Sequence, residues 1–174
     1  QLRPYTFNPA PFLADKMATQ QGYATSEPFS IMQAGVKPVV HLLADNGFET
    51  YSTLIETQAK TVKEKPDLVQ RFVDASILGW YSYINDDPSP ANALIKKDNP
   101  EMTDALLAYS LKTMKEMGIV DSGESKQNGI GAMNEERWKR FADFAVSVGI
   151  YPAGFDWKSA FTTQFVNKKV GMTK

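Results

Sequence analysis

Residues 8–29 read Asn8-Pro9-Ala10-Pro11-Phe12-Leu13-Ala14-Asp15-Lys16-Met17-Ala18-Thr19-Gln20-Gln21-Gly22-Tyr23-Ala24-Thr25-Ser26-Glu27-Pro28-Phe29. Asn8 is a good N-cap, and Phe12, Leu13 and Met17 fall at helical spacing behind it. Gly22 to Thr25 then reads as a short strand. Ser26 can cap a second helix, Pro28 suits its first turn, and Gly35 suits its end. Strand and helix are thus mixed within one short stretch. That mixture sets the fold class as α/β rather than all-α.

The pattern continues in both directions. Upstream, Pro4 and Pro9 limit regular structure, so residues 1–8 are expected to arrive extended. Downstream, Val39, Val40, Leu42 and Leu43 form a brief apolar run that predicts a buried strand. Tyr51 to Ile55 predicts another. From Pro66 the period changes: Val69, Phe72, Val73, Ser76, Ile77, Trp80 and Ile84 share one face of a long helix, which Asp86-Asp87-Pro88 stops. Residues 89–98 predict a short helix. Leu107, Leu111 and Met114 mark another, ending at Gly118. Residues 119–133, rich in Gly and polar residues, predict a loop. Trp138, Phe141, Ala142, Ala145 and Val148 mark a helix ending at Gly149, and Trp157, Phe161 and Phe165 a last short one. Strands come early and helices dominate afterwards, an excess that suggests strands lost from one end.

Composition narrows the function classes. With 174 residues the chain can build one real core or parts of two small lobes. Hydrophobic residues at 43% and charged residues at 22% exclude a disordered chain. The net charge of −1 gives no concentrated basic face, so no nucleic-acid partner is expected. Arg137, Lys139 and Arg140 are interspersed with acidic residues and read as a solvated helix face. The sequence has no cysteine, which removes disulfide and thiolate chemistry. No apolar run approaches the roughly 20 residues a membrane span needs. The chain opens Gln1-Leu2-Arg3-Pro4-Tyr5 with no initiator Met, as a processed or truncated chain would, and carries no signal peptide.

Catalytic motifs are missing. The one histidine, His41, lies inside the apolar run and reads as a buried structural residue. A single His cannot make a His-Glu-x-x-His zinc site, and no Gly-x-Ser-x-Gly elbow exists for a triad. Gly129-Ile130-Gly131 lacks the third glycine of a dinucleotide loop and reads as a flexible turn. Asp86-Asp87 reads as a solvated helix end rather than a cation site. No catalytic residue, metal ligand or cofactor is assigned, and the chain is not expected to be an enzyme. The aromatics are more informative. Tyr5, Phe7, Tyr23, Phe29, Phe48 and Tyr51 lie close in sequence near Glu27. They suit either core packing or stacking on a planar ligand oriented by one carboxylate.

The stretch Asn8 to Phe29, with its helix followed by a Gly-Tyr-x-x-x-Glu-Pro turn, resembles the thiamine-pyrimidine-precursor type of ABC-transporter substrate-binding proteins. Gly47-Phe48-Glu49-Thr50-Tyr51 resembles a Gly-x-x-x-Tyr element of that family. Lys65 to Ala75 with Gly79-Trp80 resembles its long helix, and Ile130-Gly131-Ala132-Met133 with Arg137-Trp138 resembles its C-terminal pieces. The resemblance implies the C-terminal portion of a two-lobed periplasmic-binding-protein type II fold. Residues 1–24 would end the second lobe, and residues 25–174 would form the C-terminal part of the first. Such a chain is expected to associate with the missing N-terminal portion or in a swapped dimer.

The resemblance also implies a ligand site. Tyr23 would offer a ring face to a heterocycle and Glu27 would accept hydrogen bonds from a ring amine. Thr25 and Ser26 could donate to a polar ligand atom. Tyr51 is assigned to the site on the same ground, with strand packing as an equal alternative. The expected function is a solute-binding component of an ABC importer, periplasmic or at the cell surface, that takes an aromatic heterocycle in an interlobe cleft and presents it to a permease. The alternatives are an alkanesulfonate, taurine or nitrate solute, disfavoured by a carboxylate in the cleft, and an enzyme of thiamine pyrimidine synthesis. A sensory module using the same cleft is a third.

Overall fold

The computed structural model describes residues 4–6 and 8–172. The extended arrival is therefore seen only from Pro4, and Phe7 lies outside the described residues. Along the chain come α1 (Ala10–Ala14), α2 (Glu27–Gln33), α3 (Ala59–Glu64), α4 (Pro66–Asn85), α5 (Ser89–Asp98), α6 (Asp104–Glu116), α7 (Ser125–Asn128) and α8 (Glu135–Ser147). Single 3-10 turns stand at Leu43–Asn46 and Trp157–Ala160. The chain divides into two compact units, one of Gln1–His41 with Pro88–Gly118 and one of Leu42–Asp87 with Ile119–Lys174.

In the first unit, α1 starts one residue later than Asn8 would dictate as a cap. The cap position is Pro9, and Asn8 Oδ1 instead accepts from the Ala10 N–H at 2.9 Å. The helix stops at Ala14, which leaves Met17 beyond it and 89% exposed. Pro28 lies in the first turn of α2 as the sequence implied. Just past its end at Gln33 stands Gly35, whose φ of +78° lets Gly35 N–H reach Met32 O and Val36 N–H reach Ile31 O. α2 packs on α6, where Phe29 and Tyr109 bring their rings to 5.2 Å. Thr103 caps α6 by accepting from Leu106 N–H at 3.2 Å.

The second unit is organised by α4. Val69, Val73 and Ile77 form a buried stripe that meets Ile130 and Phe165, with Val62 of α3 and Tyr81 packed at its margin. The Tyr81 hydroxyl accepts from the Ile130 N–H at 3.2 Å, so the turn at Gly129–Gly131 is pinned to the helix. Gly171 approaches the same helix so closely that a Cβ there would lie 2.7 Å from Tyr81 Cδ2. α8 is capped by Asn134, whose side chain accepts from Arg137 N–H at 2.7 Å, and it buries Ala142 and Ala145. Its outer face carries the pairs Lys139–Asp143 and Arg140–Glu136, the solvated basic face that the sequence indicated.

Several expectations are corrected. The α/β class rested on strands at Gly22–Thr25, Val39–Leu43 and Tyr51–Ile55, and no strand occurs among the described residues. A strand needs a ladder partner and a covered face. Here Val39 is 80% exposed, Leu43 63% and Ile55 51%, so neither apolar run packs, and residues 24–26 form a turn. What the described residues show is a helix-rich chain. His41 is exposed, not buried, because the run around it is exposed. On α4 the apolar face is wider than the covered one: Phe72 and Trp80 are partly open to solvent. The loop at 119–133 contains the short helix α7. The last helix is only the 3-10 turn Trp157–Ala160; Phe161 is extended, and Phe165 enters the core separately.

This packing sets an order of mutational costs. Ile77→Ala should lower stability by about 2–5 kcal/mol, whereas Phe72→Ala should change it by less than about 1 kcal/mol. Urea unfolding midpoints of the two variants test it, and equal losses would show that the covered stripe of α4 is misassigned.

Candidate functional site

Four of the five residues picked from sequence, Tyr23, Thr25, Ser26 and Glu27, lie together in the first unit, at the turn that leads into α2. The centre of the arrangement is the Glu27 carboxylate. Its Oε2 accepts from the Tyr23 N–H at 2.6 Å and from the Ser26 hydroxyl at 2.5 Å. Its Oε1 accepts from the Tyr5 hydroxyl. The side chain folds back over Gly22: a Cβ at that position would stand 2.8 Å from both Glu27 Cβ and Cγ. Burial pushes the Glu27 pKa up, but the hydrogen bonds from Ser26, Tyr5 and the Tyr23 N–H outweigh it and hold the carboxyl below its ordinary value. On Tyr5, burial, the bond to Glu27 and the nearby negative charge all raise the phenol pKa.

The turn is fixed from a second side by α6. Ser110, itself buried, donates to Thr25 O at 2.6 Å, and the Tyr109 hydroxyl donates to Ala24 O at 3.3 Å. Ser26 occupies the N-cap position of α2 without a side-chain cap bond, because its hydroxyl serves Glu27 instead. That corrects its expected capping role. Tyr23 contributes its backbone to this network and leaves its side chain 57% exposed. The turn therefore offers an open phenol ring beside an ionised, oriented carboxylate.

Tyr51 belongs to the second unit and is the hub of a separate cluster. Its hydroxyl donates to Glu124 Oε1 at 2.5 Å and accepts from the Asn134 N–H at 2.9 Å. Asn134 Nδ2 donates to Glu124 Oε2 at 2.6 Å. The Arg137 guanidinium lies 4.3 Å over the Tyr51 ring, and its Nε and Nη2 donate to Glu49 O and Thr50 O. Burial and the Glu124 bond push the Tyr51 pKa up to about 12, against the Asn134 N–H, which lowers it. The cluster ties residues 49–51 to the start of α8. From Trp138, next to Arg137, the rings continue: Trp138 stacks on Phe161 at 4.7 Å, and Trp157 stacks on Phe161 at 6.2 Å.

Sequence reasoning found Glu27 and missed what holds it. Tyr5 was visible only as one aromatic among several, and Ser110 of α6 gave no local signal at all. Gly22, five residues ahead of Glu27, was readable as a motif glycine but not as the space into which Glu27 folds. Of the partners of Tyr51, Glu124 lies in the stretch read as loop and Asn134 directly follows it. Among the described residues no group of three or more His, Cys, Asp or Glu could hold a metal ion. No helix among them is long and apolar enough to cross a membrane.

Comparison with known proteins places this turn in context. Residues 4–91 match the model of the family described as NMT1/THI5 like. That span contains Tyr5, Gly22, Glu27 and Tyr51. The riboflavin-binding protein RibY of Chloroflexus aurantiacus is 28% identical over 158 residues, which cover 90% of this chain and 44% of RibY. The chain thus spans less than half the length of that relative. No solved structure matches.

Two titrations follow from the geometry. The Glu27 pKa is lower folded than its ordinary 4.5, so its bonds stabilise the chain above that pH and are lost as pH falls through the folded value. The acid decline in unfolding midpoint should be shallower in Glu27→Gln; identical acid limbs would contradict it. The Tyr51 pKa is raised from 10.0 to about 12, so stability holds below the lower value and is lost as pH rises between the two. Tyr51→Phe should lessen that alkaline loss, and an unchanged alkaline limb would count against the Tyr51 network. Gly22→Ala should expel the Glu27 side chain at a cost of about 1–3 kcal/mol and return its pKa toward the ordinary value. A carboxyl NMR titration reads that shift, and an unmoved Glu27 resonance would show that the approach to Gly22 is not as close as described.

Proposed function

This chain belongs to the NMT1/THI5-like family, and on that premise we propose that it binds a planar nitrogen heterocycle and delivers it to the permease of an ABC importer. The family and the riboflavin-binding relative support a solute-binding role for a small ligand. The observation that carries the finer reading is the pairing of an ionised Glu27 with the open ring of Tyr23 inside the matched span. A carboxylate suits the N–H groups of an aminopyrimidine or of a flavin imide. It opposes sulfonates and nitrate, whose charge has the same sign. A ring on an open turn suits stacking.

In this reading Tyr23 stacks on the heterocycle, Glu27 accepts from a ring amine or imide, the Thr25 hydroxyl faces a polar ligand atom, and Ser26, whose hydroxyl donates to Glu27, orients the carboxylate. Tyr51 serves instead as a strut of the second unit, since its hydroxyl and a ring face are engaged. The chain binds and releases without covalent chemistry, in the periplasm or at the cell surface, where importers collect their solutes.

Calorimetric titration with riboflavin, 4-amino-2-methylpyrimidine and taurine tests the proposal. The heterocycles should bind and taurine should not. Glu27→Gln should weaken the aminopyrimidine by about 1.5–3 kcal/mol, the range for hydrogen bonds to a charged group. Binding of taurine alone would overturn the heterocycle assignment, and heterocycle binding unaltered by Glu27→Gln would remove Glu27 from the site.

A further inference from the structure

The Glu27 carboxylate that the proposed ligand needs is already in use, and its two oxygens are used differently. Oε2 takes the Tyr23 N–H and the Ser26 hydroxyl, both from the turn itself. The Tyr23 donor is a backbone N–H of the turn, and Ser26 adjoins Glu27 in the chain, so both stay beside the carboxylate. Oε1 takes the hydroxyl of Tyr5, which comes from 22 residues upstream. Residues 4–6 belong to no helix or strand, and both Pro4 and Thr6 are exposed. Movement of Tyr5 therefore breaks no backbone ladder. Gly22 leaves the room that Glu27 occupies, because the acidic side chain lies in the space where a Cβ at 22 would stand.

We propose that Tyr5 is a built-in competitor at this site: its hydroxyl stands at Glu27 Oε1 in the position of a ligand N–H donor, and a ligand reaches that oxygen only by exchanging its own donor for the phenol. This rests on the reading of Glu27 as the ligand's acceptor. A heterocycle with an amine replaces one hydrogen bond by another, so the carboxylate remains satisfied. A ring of the same shape without a donor has nothing to exchange and leaves the phenol on Oε1. The phenol thus lowers affinity for every ligand that takes Oε1 and leaves unaffected one that does not.

The test uses two probes of nearly equal shape, 4-amino-2-methylpyrimidine and 2,4-dimethylpyrimidine, titrated into the wild-type chain and into Tyr5→Phe. Loss of the phenol should tighten the aminopyrimidine roughly five- to ten-fold, part of the value of one hydrogen bond to a charged group. The dimethyl probe, which has no donor to offer, should gain much less. Tyr5→Leu should give the same direction, so the result does not hang on how one variant folds. In both variants the acid limb of aminopyrimidine binding should move to higher pH, because Glu27 loses one of the bonds that favour its ionised form. A purely structural Tyr5 would weaken both probes together, and that outcome, or an unchanged ratio of the two affinities, overturns the inference while leaving the heterocycle site standing. No binding of the aminopyrimidine by any form overturns the site reading and this inference with it.

Discussion

A carboxylate drawn partly out of water must find donors, and the first unit is arranged around that requirement at Glu27. The cost of leaving such a group unpaired is large compared with the margin of stability of a small unit. Tyr5, the Tyr23 N–H and Ser26 supply the donors, and Gly22 supplies the space. α6 then fixes the turn by way of Ser110 and Tyr109. Each of these contacts constrains the next. The carboxylate sets the turn, the turn sets the start of α2, and α2 packs through Phe29 against the helix that holds the turn's carbonyls. The site and the packing of this unit are therefore one network.

The second unit repeats the device with different parts. Glu124 is met by a tyrosine hydroxyl and a side-chain amide, and Asn134, which supplies that amide, also caps α8. Here a cation is added, for Arg137 lies over the Tyr51 ring and 3.9 Å from Glu124. The result is a cluster with its polar groups matched internally, which holds residues 49–51 against α8. Glu27 is met instead by two hydroxyls and a backbone N–H, and the ring beside it is open. That contrast between two tyrosine–glutamate pairs is what separates a strut from a candidate binding turn.

Helix ends were the most legible part of the sequence. Pro28 and Pro66 start helices, Gly35, Gly118 and Gly149 follow their ends with positive φ, and local chemistry alone decides all of them. Apolar runs were less informative, because they state what could be buried and not what covers it. Val39 and Val40 have a strand's composition and no cover among the described residues, and Phe72 and Trp80 lie at the right helical spacing but outside the stripe that Ile130 and Phe165 meet. The site was half legible. The turn Gly22 to Glu27 is a local motif and could be read, whereas Tyr5, Ser110 and Glu124 act across long sequence separations that no periodicity encodes.

The saturation of Glu27 bears on where affinity and selectivity arise. If a ligand amine replaces the Tyr5 hydroxyl, one hydrogen bond to the carboxylate is lost and one gained, and the exchange contributes little net free energy. The carboxylate then selects which ligands enter without binding them tightly. Affinity has to come from apolar area and ring contact, and Tyr23 is the ring at this turn with surface still to bury. Burial of apolar surface contributes about 25 cal/mol per Å², with a further ~0.5–1.5 kcal/mol for a well-placed aromatic pair. A large planar solute gains more from that contribution than a small one, while both face the same exchange at Oε1. On this physics, ring size governs how strongly a heterocycle is held, and its N–H donor governs whether it is held at all.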